Sequence, residues 1–309
     1  MLGFYLQKLG LSLDYADFRR SIKMLDFYFK NESQAISYKH TKSETPPKTA
    51  FHLHNRFEIY FFLSGNVNYL VEKKVYPLKY GDLLIMNNLE IHKAQIRPGK
   101  VYERITIHFS PEIAQVFSPE NYNLLSPFIN RAKGLQNKVN LLPAQIGVIW
   151  DQFHKIEALQ NQDNKEYQIL KLTYFVELLV LINRFFSSTE TIENYSSIPE
   201  SFMKLLDYID ENLAGDLSLT TLGNIFFINS TYLSTLFKKY TGSNIGEYIR
   251  YKRISKAKKL ITDGYTATEA ALFSGFNDYS NFARAFKKTV GVSPGKFKTE
   301  EQVVRAGYR

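Results

Sequence analysis

His52, His54, Glu58 and His92 are the side chains whose types could hold a ligand by chemistry rather than by shape alone. Three imidazoles and a carboxylate, if they converge, hydrogen-bond a polar molecule or coordinate Fe, Mn, Ni or Zn. His52 and His54 are two residues apart, so on a strand they point to the same face. Buried histidines can also be purely structural. No second set of acid and base groups is spaced for turnover, so no catalytic residue is assigned. A different chemistry lies far downstream. Arg284 presents a guanidinium that matches a guanine edge, and Asn281 a carboxamide that matches adenine. Lys238, Lys239, Lys287 and Lys288 suit phosphate contacts, which give affinity without sequence information.

The elements that must position these groups follow from periodicity. Residues 1–30 read as one or two helices, and 41–49, with Pro46 and Pro47, as an irregular loop. From 51 to 110 the apolar period is two. Short strands are predicted over 57–63, 67–72, 75–78, 82–86, 92–97 and 101–109, with turns at Gly65, Gly81 and Gly99. Many short, evenly spaced strands suggest a small barrel or jelly roll. After Pro111 the pattern turns helical, with long helices predicted over 141–160 and 165–186. The second is apolar over a wide arc, which suits either a partner chain or a cover for the barrel. Residues 187–199 are polar and read as a linker, and 198–212 as an amphipathic helix.

A pattern then occurs twice. Asn229 to Gly242 is a polar cap, a helix with Leu233, Leu236 and Phe237 on one face, a lysine pair and a glycine. Forty-nine residues on, Asp278 to Gly291 repeats it, with Phe282, Phe286, Lys287 and Lys288 in the equivalent places. Each copy follows a short helix (219–226; 267–273) and a tight turn, which makes two helix-turn-helix units. The second helix of such a unit lies in the major groove, so each is a candidate reader. Opposite the core face stand Ser230, Thr231, Tyr232, Ser234, Thr235 and Lys238 in the first reader. Tyr279, Ser280, Asn281, Arg284, Lys287 and Lys288 stand so in the second. The helix over 245–261 must set the readers about 34 Å apart to reach successive major grooves. Its basic face (Arg250, Lys252, Arg253, Lys256, Lys258, Lys259) is expected to add phosphate contacts, with Arg253 alternatively a brace between the halves.

This doubled motif resembles the DNA-binding domain of the AraC/XylS family of bacterial transcription regulators. Tyr248 to Leu260 is similar to the family's linker helix. Gly275, Phe276, Phe282, Phe286, Gly291, Pro294 and Phe297 follow its signature stretch. Two departures stand out: Gly223 where alanine is usual, and Phe227 at a turn position where glycine is usual. The spacing from His52 through Glu58, Gly65 and Gly81 to His92 resembles the cupin fold, in particular the sensing domain of sugar-responsive members. The resemblance implies an α+β multidomain protein with an N-terminal cupin-like β-barrel, flanking helices and a C-terminal all-α double helix-turn-helix. Its segments would be 1–34 (helical extension), 35–112 (effector barrel), 113–187 (dimerisation or covering helices), 188–199 (linker) and 200–303, with the two units at 217–241 and 265–290. It implies double-stranded DNA and a small effector, a sugar by expectation, as partners. It also implies a homodimer, an activator by the commoner habit, and RNA polymerase as a further partner if so. His52, His54, Glu58, Tyr60, His92 and Arg104 are the expected effector residues. No cofactor is expected. The alternative is a metal-dependent cupin enzyme tethered to DNA, with a divalent metal on His52, His54, Glu58 and His92, the four metal-ligand positions of metallocupins.

Charge and composition agree. Residues 216–298 hold 13 Lys and Arg against 5 Asp and Glu, a net +8 of the chain's +9. Such localised basicity is the footprint of a phosphate-binding surface. The chain has no cysteine, which excludes disulfides and thiolate metal sites and fits a reducing, cytoplasmic setting. The N-terminus lacks a signal-peptide layout, and the most apolar stretch, 169–186, carries Lys171, Glu177 and Arg184, so no membrane partner is expected.

Overall fold

The computed structural model describes residues 15–45, 49–162, 164–188 and 198–299. The first 14 residues of the stretch 1–30, expected to be helical, and most of the expected linker lie outside them. The chain enters through α1 (Tyr15–Lys30) and a single turn, α2 (Glu32–Ala35). Eight antiparallel strands follow: β1 (Ile36–Ser43), β2 (Phe57–Ser64), β3 (Asn66–Val71), β4 (Lys74–Pro77), β5 (Leu83–Met86), β6 (His92–Arg97), β7 (Tyr102–Phe109) and β8 (Lys138–Val139). They form a five-stranded sheet, β1-β7-β2-β5-β8, and a three-stranded sheet, β4-β3-β6. The cupin-like fold is thus built as two sheets in the manner of a jelly roll.

β1 is absent from the sequence reading. Its residues Ser37, Lys39, His40, Thr41 and Lys42 carry no apolar alternation, because it is a half-exposed edge strand. It pairs with β7 from Ile36 opposite Phe109 to Ser43 opposite Tyr102, so the expected loop begins only after residue 43.

β2 is apolar on both faces, and both are covered. Ile59 and Phe61 face outward into a core shared with α5 (Pro143–Ala158) and α6 (Lys165–Ser188), where Phe61 meets Phe153 with ring centroids 5.1 Å apart. Tyr60 and Phe62 face inward, between the sheets, among Tyr69, Val71, Tyr76, Met86 and Tyr102. The helices α5 and α6 therefore cover the five-stranded sheet, one of the two roles open to them. Two short helices, α3 (Pro111–Gln115) and α4 (Ser126–Ile129), precede them.

The C-terminal part is all helical: α7 (Glu200–Glu211), α8 (Leu219–Phe226), α9 (Ser230–Thr241), α10 (Ile245–Thr262), α11 (Ala267–Phe273) and α12 (Tyr279–Val290). Side-chain caps on Ser218, Asn229, Asn244, Thr266 and Asp278 satisfy the first backbone amides of α8 to α12. Phe227 ends α8 at φ 54°, in the left-handed region, and the residue is 96% exposed. Gly275 takes the same conformation in the second unit at φ 90°. There a Cβ would lie 2.1 Å from the Leu213 carbonyl, so only glycine fits. Gly223 is explained likewise: a Cβ would stand 2.6 Å from the Ile228 carbonyl, and the helix gives up some propensity to let the turn close over it. Among the described residues no helix is long and apolar enough to cross a membrane.

Candidate functional site

His52, His54, Glu58 and His92 converge, with their ligating atoms all within 4.8 Å of one another. Three chain segments bring them there. His52 and His92 form a bridge through both backbone N–H···O bonds (3.0 and 3.1 Å), and their rings stand 4.2 Å apart. Glu58 is the second residue of β2 and is buried between the sheets. Its Oε2 lies 3.0 Å from His54 Nε2 and 3.0 Å from His92 Nε2. Tyr69 Oη donates to its other oxygen at 3.5 Å.

His108 is a fifth member that the sequence reading missed. It sits opposite Glu58 in the β2–β7 register, and its Nε2 lies 3.2 Å from Glu58 Oε2. The sequence offered only that His108 is four residues beyond Arg104, so both share a face of β7; its pairing with Glu58 follows from the register of the two strands.

The second nitrogen of each ring is fixed. His52 Nδ1 donates to the Ala50 carbonyl (3.2 Å), His54 Nδ1 to Arg56 (2.8 Å) and His92 Nδ1 to Glu90 (2.9 Å). A carbonyl can only accept, so all three Nδ1 atoms carry protons, and the Nε2 atoms of His54 and His92 are turned on Glu58. This is the donor arrangement of a metal site, and the residues fit a divalent ion. Without one, an Nε2 proton bridges to the carboxylate. Burial would lift the Glu58 carboxyl, but the His92 charge and hydrogen bonds from His108, His54 and His92 hold it well below its ordinary value. Burial would lower His92; Glu58 overrides that and raises it. In His54 burial prevails and the imidazole is lowered.

The remaining expected effector residues divide. Tyr60 is buried, its hydroxyl 3.0 Å from Tyr102 Oη and its ring 4.6 Å from Tyr69. It belongs to the filling between the sheets. Arg104 is half-buried and lies over the Tyr102 ring at 4.7 Å. His52 is exposed and His54 half-buried, so the accessible part of the cluster is its rim.

In the C-terminal part, Leu233, Phe237, Phe282 and Phe286 are buried, as the two apolar faces require. Thr231, Tyr232, Thr235, Lys238 and Lys239 are exposed on α9, and Tyr279, Ser280, Asn281, Arg284, Lys287 and Lys288 on α12. Ser230 and Ser234 are half-buried, and the Ser230 hydroxyl is tied to the Leu219 carbonyl at 3.2 Å. Arg284 Nη2 donates to Asn281 Oδ1 at 2.5 Å, so the two expected base-reading groups form one unit.

The basic face of α10 is a correction. Lys252 and Lys258 are buried against the N-terminal part and unavailable to phosphate. Lys252 Nζ meets Glu72 at 2.5 Å and Asp210 at 2.7 Å, and Lys258 Nζ donates to the Asn88 carbonyl at 2.5 Å. Arg253 is a brace, donating to the Leu213 and Gly215 carbonyls at 2.9 Å each.

A ligand-binding sandwich followed by a doubled helix-turn-helix defines a transcription regulator with a ligand-binding domain. Comparison with known families agrees: the AraC-like ligand binding domain matches residues 37–179 and a helix-turn-helix domain matches residues 222–300. The chain is 25% identical over 257 residues to an uncharacterized regulator, YfiF, of Bacillus subtilis, covering 81% of this chain and 79% of that one. It is 32% identical over 99 residues to the transcriptional activator AarP of Providencia stuartii, covering 32% of this chain and 73% of that one. A solved structure of a Listeria innocua protein of unknown function is 35% identical, covers 33% of this chain and 97% of its own, and gives a TM-score of 0.31, too low to bear on the argument. The chain belongs to the AraC family of transcription regulators and binds DNA.

Proposed function

We propose that this regulator is switched by a small effector held at the rim of the histidine–glutamate cluster, and that α9 and α12 read DNA in two successive major grooves. The observation that carries the reading is the coexistence of two exposed, capped reader helices with a convergent polar cluster in the ligand-binding domain. The space between the sheets is filled by Tyr60, Phe62, Tyr69, Tyr76 and Tyr102, which directs a ligand to His52, His54 and Arg104. A sugar is the expected class, since its hydroxyls suit imidazole, carboxylate and guanidinium partners. The protein acts as a switch and not as a catalyst. Its copies pair through the α5–α6 region, it works in the cytoplasm, and as an activator it contacts RNA polymerase.

The test is a gel-shift titration of the full chain on the DNA flanking its own gene, at fixed salt, with a panel of sugars. A sugar that changes specific affinity supports the reading, because an effector must bind one arrangement better than the other. Specific binding indifferent to every sugar would overturn that effector class.

A second reading is favoured by the three Nδ1–carbonyl bonds, which leave Nε2 atoms and Glu58 as a ready donor set. It places a divalent metal on His52, His54, Glu58 and His92. Stoichiometric metal in purified protein, lost in His54→Ala, would establish it; protein that stays metal-free with Zn, Mn, Fe or Ni supplied would remove it.

A further inference from the structure

The three-stranded sheet β4-β3-β6 has two faces, and they belong to different functions. Tyr69, Val71, Tyr76 and Ala94 point inward, among the residues between the sheets. Leu70, Val75 and Ile91 point the other way and join the core of the C-terminal helices, with Phe202, Phe237 and Tyr248. The segment bridged to β6 continues the alternation. His52 and His54 face the cluster, while Phe51 and Leu53 pack in the C-terminal core, Phe51 against Tyr248 at 5.3 Å. On β6, His92 faces the cluster and Lys93 the other way.

Polar contacts lock the outer face. Lys93 Nζ donates to the Gly242 carbonyl (2.6 Å) and Ser243 Oγ (2.8 Å), at the end of the first reader helix. The tip of the β3–β4 hairpin grips α7 and α10: Glu72 meets Lys252 at 2.5 Å, and Lys73 meets Asp207 at 2.7 Å and Asp210 at 3.0 Å. Glu72 adopts φ 52°, a left-handed conformation that a non-glycine residue holds only under constraint. Ser255 donates to the Leu89 carbonyl at 2.6 Å, and Lys258 to the carbonyls of Asn88 and, at 3.4 Å, His54 itself. The loops that deliver the cluster side chains are thus the loops that hold the linker helix.

Resting on the effector reading of the cluster, we propose that this sheet is a transmission wall, in which occupancy of the histidine–glutamate cluster on its inner face sets how α10 and the end of α9 dock on its outer face. No long relay is needed. Successive residues of one strand serve the two sites, so a shift of a histidine backbone moves its neighbour in the C-terminal core. Close-packed faces tolerate discrete rearrangement better than gradual deformation, which suits a switch.

The absence of cysteine allows two to be introduced as spin-label sites. Lys79→Cys and Glu211→Cys place labels on exposed positions, one on each part, in the full chain. The parent should give one narrow inter-label distance. Lys252→Met with Lys258→Met should broaden it, because the docking contacts are lost. Glu58→Gln, and independently His54→Gln, should also shift or broaden it, although both side chains belong to the cluster on the inner face. Phe61→Leu is the control: it weakens the core on the opposite sheet face and should leave the distance narrow. A broad parent distribution would overturn the docking. Superimposable distributions for the parent, Glu58→Gln and His54→Gln would overturn the coupling, as would equal broadening in Phe61→Leu. DNA gel shifts of the same proteins separate this result from the regulator reading, since failure of the wall leaves specific binding intact.

Discussion

Glu58 and His108 stand directly opposite each other on β2 and β7, with His108 Nε2 3.2 Å from Glu58 Oε2. With His54 and His92 on the same oxygen, the carboxylate partners three imidazoles, and Glu58 and His92 are the buried pair among them. Glu58→Gln keeps the shape and removes the charge. Stripping one partner from a buried charged group costs about 3–5 kcal/mol. Urea unfolding of metal-stripped protein should show a loss of that order near pH 6; a loss within experimental error would mean that the histidines are neutral and need no counter-charge.

Glu72 makes the docking itself dependent on acid. Burial pushes its carboxyl up, but Lys133 and Lys252 overcome this and bring it down to about 2. A carboxyl depressed on folding contributes fully above its ordinary value of 4.5, and the contribution fades as pH falls toward 2. The stability difference between parent and Glu72→Gln should therefore be constant at neutral pH and shrink below about pH 4.5. A difference that does not change over that range would show that Glu72 is not ionised in the docked protein.

The first helix-turn-helix carries a strained, solvent-facing residue beside a glycine that cannot be enlarged. Phe227→Gly removes a left-handed phenylalanine and should stabilise the protein by about 0.5–1 kcal/mol, the 1–2 kcal/mol left-handed penalty less the added freedom of the unfolded chain. Gly223→Ala improves helix propensity yet should destabilise by about 1–3 kcal/mol, because its Cβ would press on the Ile228 carbonyl. Thermal unfolding of both variants reads the two signs; a stabilising Gly223→Ala would show that the turn has room to relax.

Much of this was legible in the sequence for a physical reason. The helix-turn-helix units place apolar side chains at helical spacing between caps and glycines, so local chemistry marks their boundaries. Six strands announced themselves by period two. β1 did not, because an edge strand such as Ile36–Ser43 buries little and needs no apolar face. His52, His54, Glu58 and His92 were readable from spacing, whereas His108 depended on the β2–β7 register, which a sequence does not print. The burial of Lys252 and Lys258 was hidden for a different reason. A lysine on a helix reads as solvated until the acceptor it meets is known, and Glu72 lies 180 residues away.

Arg284 and Asn281 test the reading of DNA. Each projects from the exposed face of α12, and the guanidinium donates to the carboxamide at 2.5 Å. Arg284→Ala should weaken specific binding by about 1–3 kcal/mol and relax the preference at one base pair. Because the carboxamide steadies the guanidinium, Asn281→Ala should cost affinity at the same position, and the double variant should lose less than the sum of the single losses. Lys287→Ala acts differently. It removes a phosphate contact, so all sequences should weaken alike and the salt dependence should flatten by about one unit of slope. Fluorescence anisotropy with a specific duplex and single-base variants, at several salt concentrations, separates the cases. An Arg284→Ala protein that discriminates every base as the parent does would remove Arg284 from base reading and leave the first reader to specify the site.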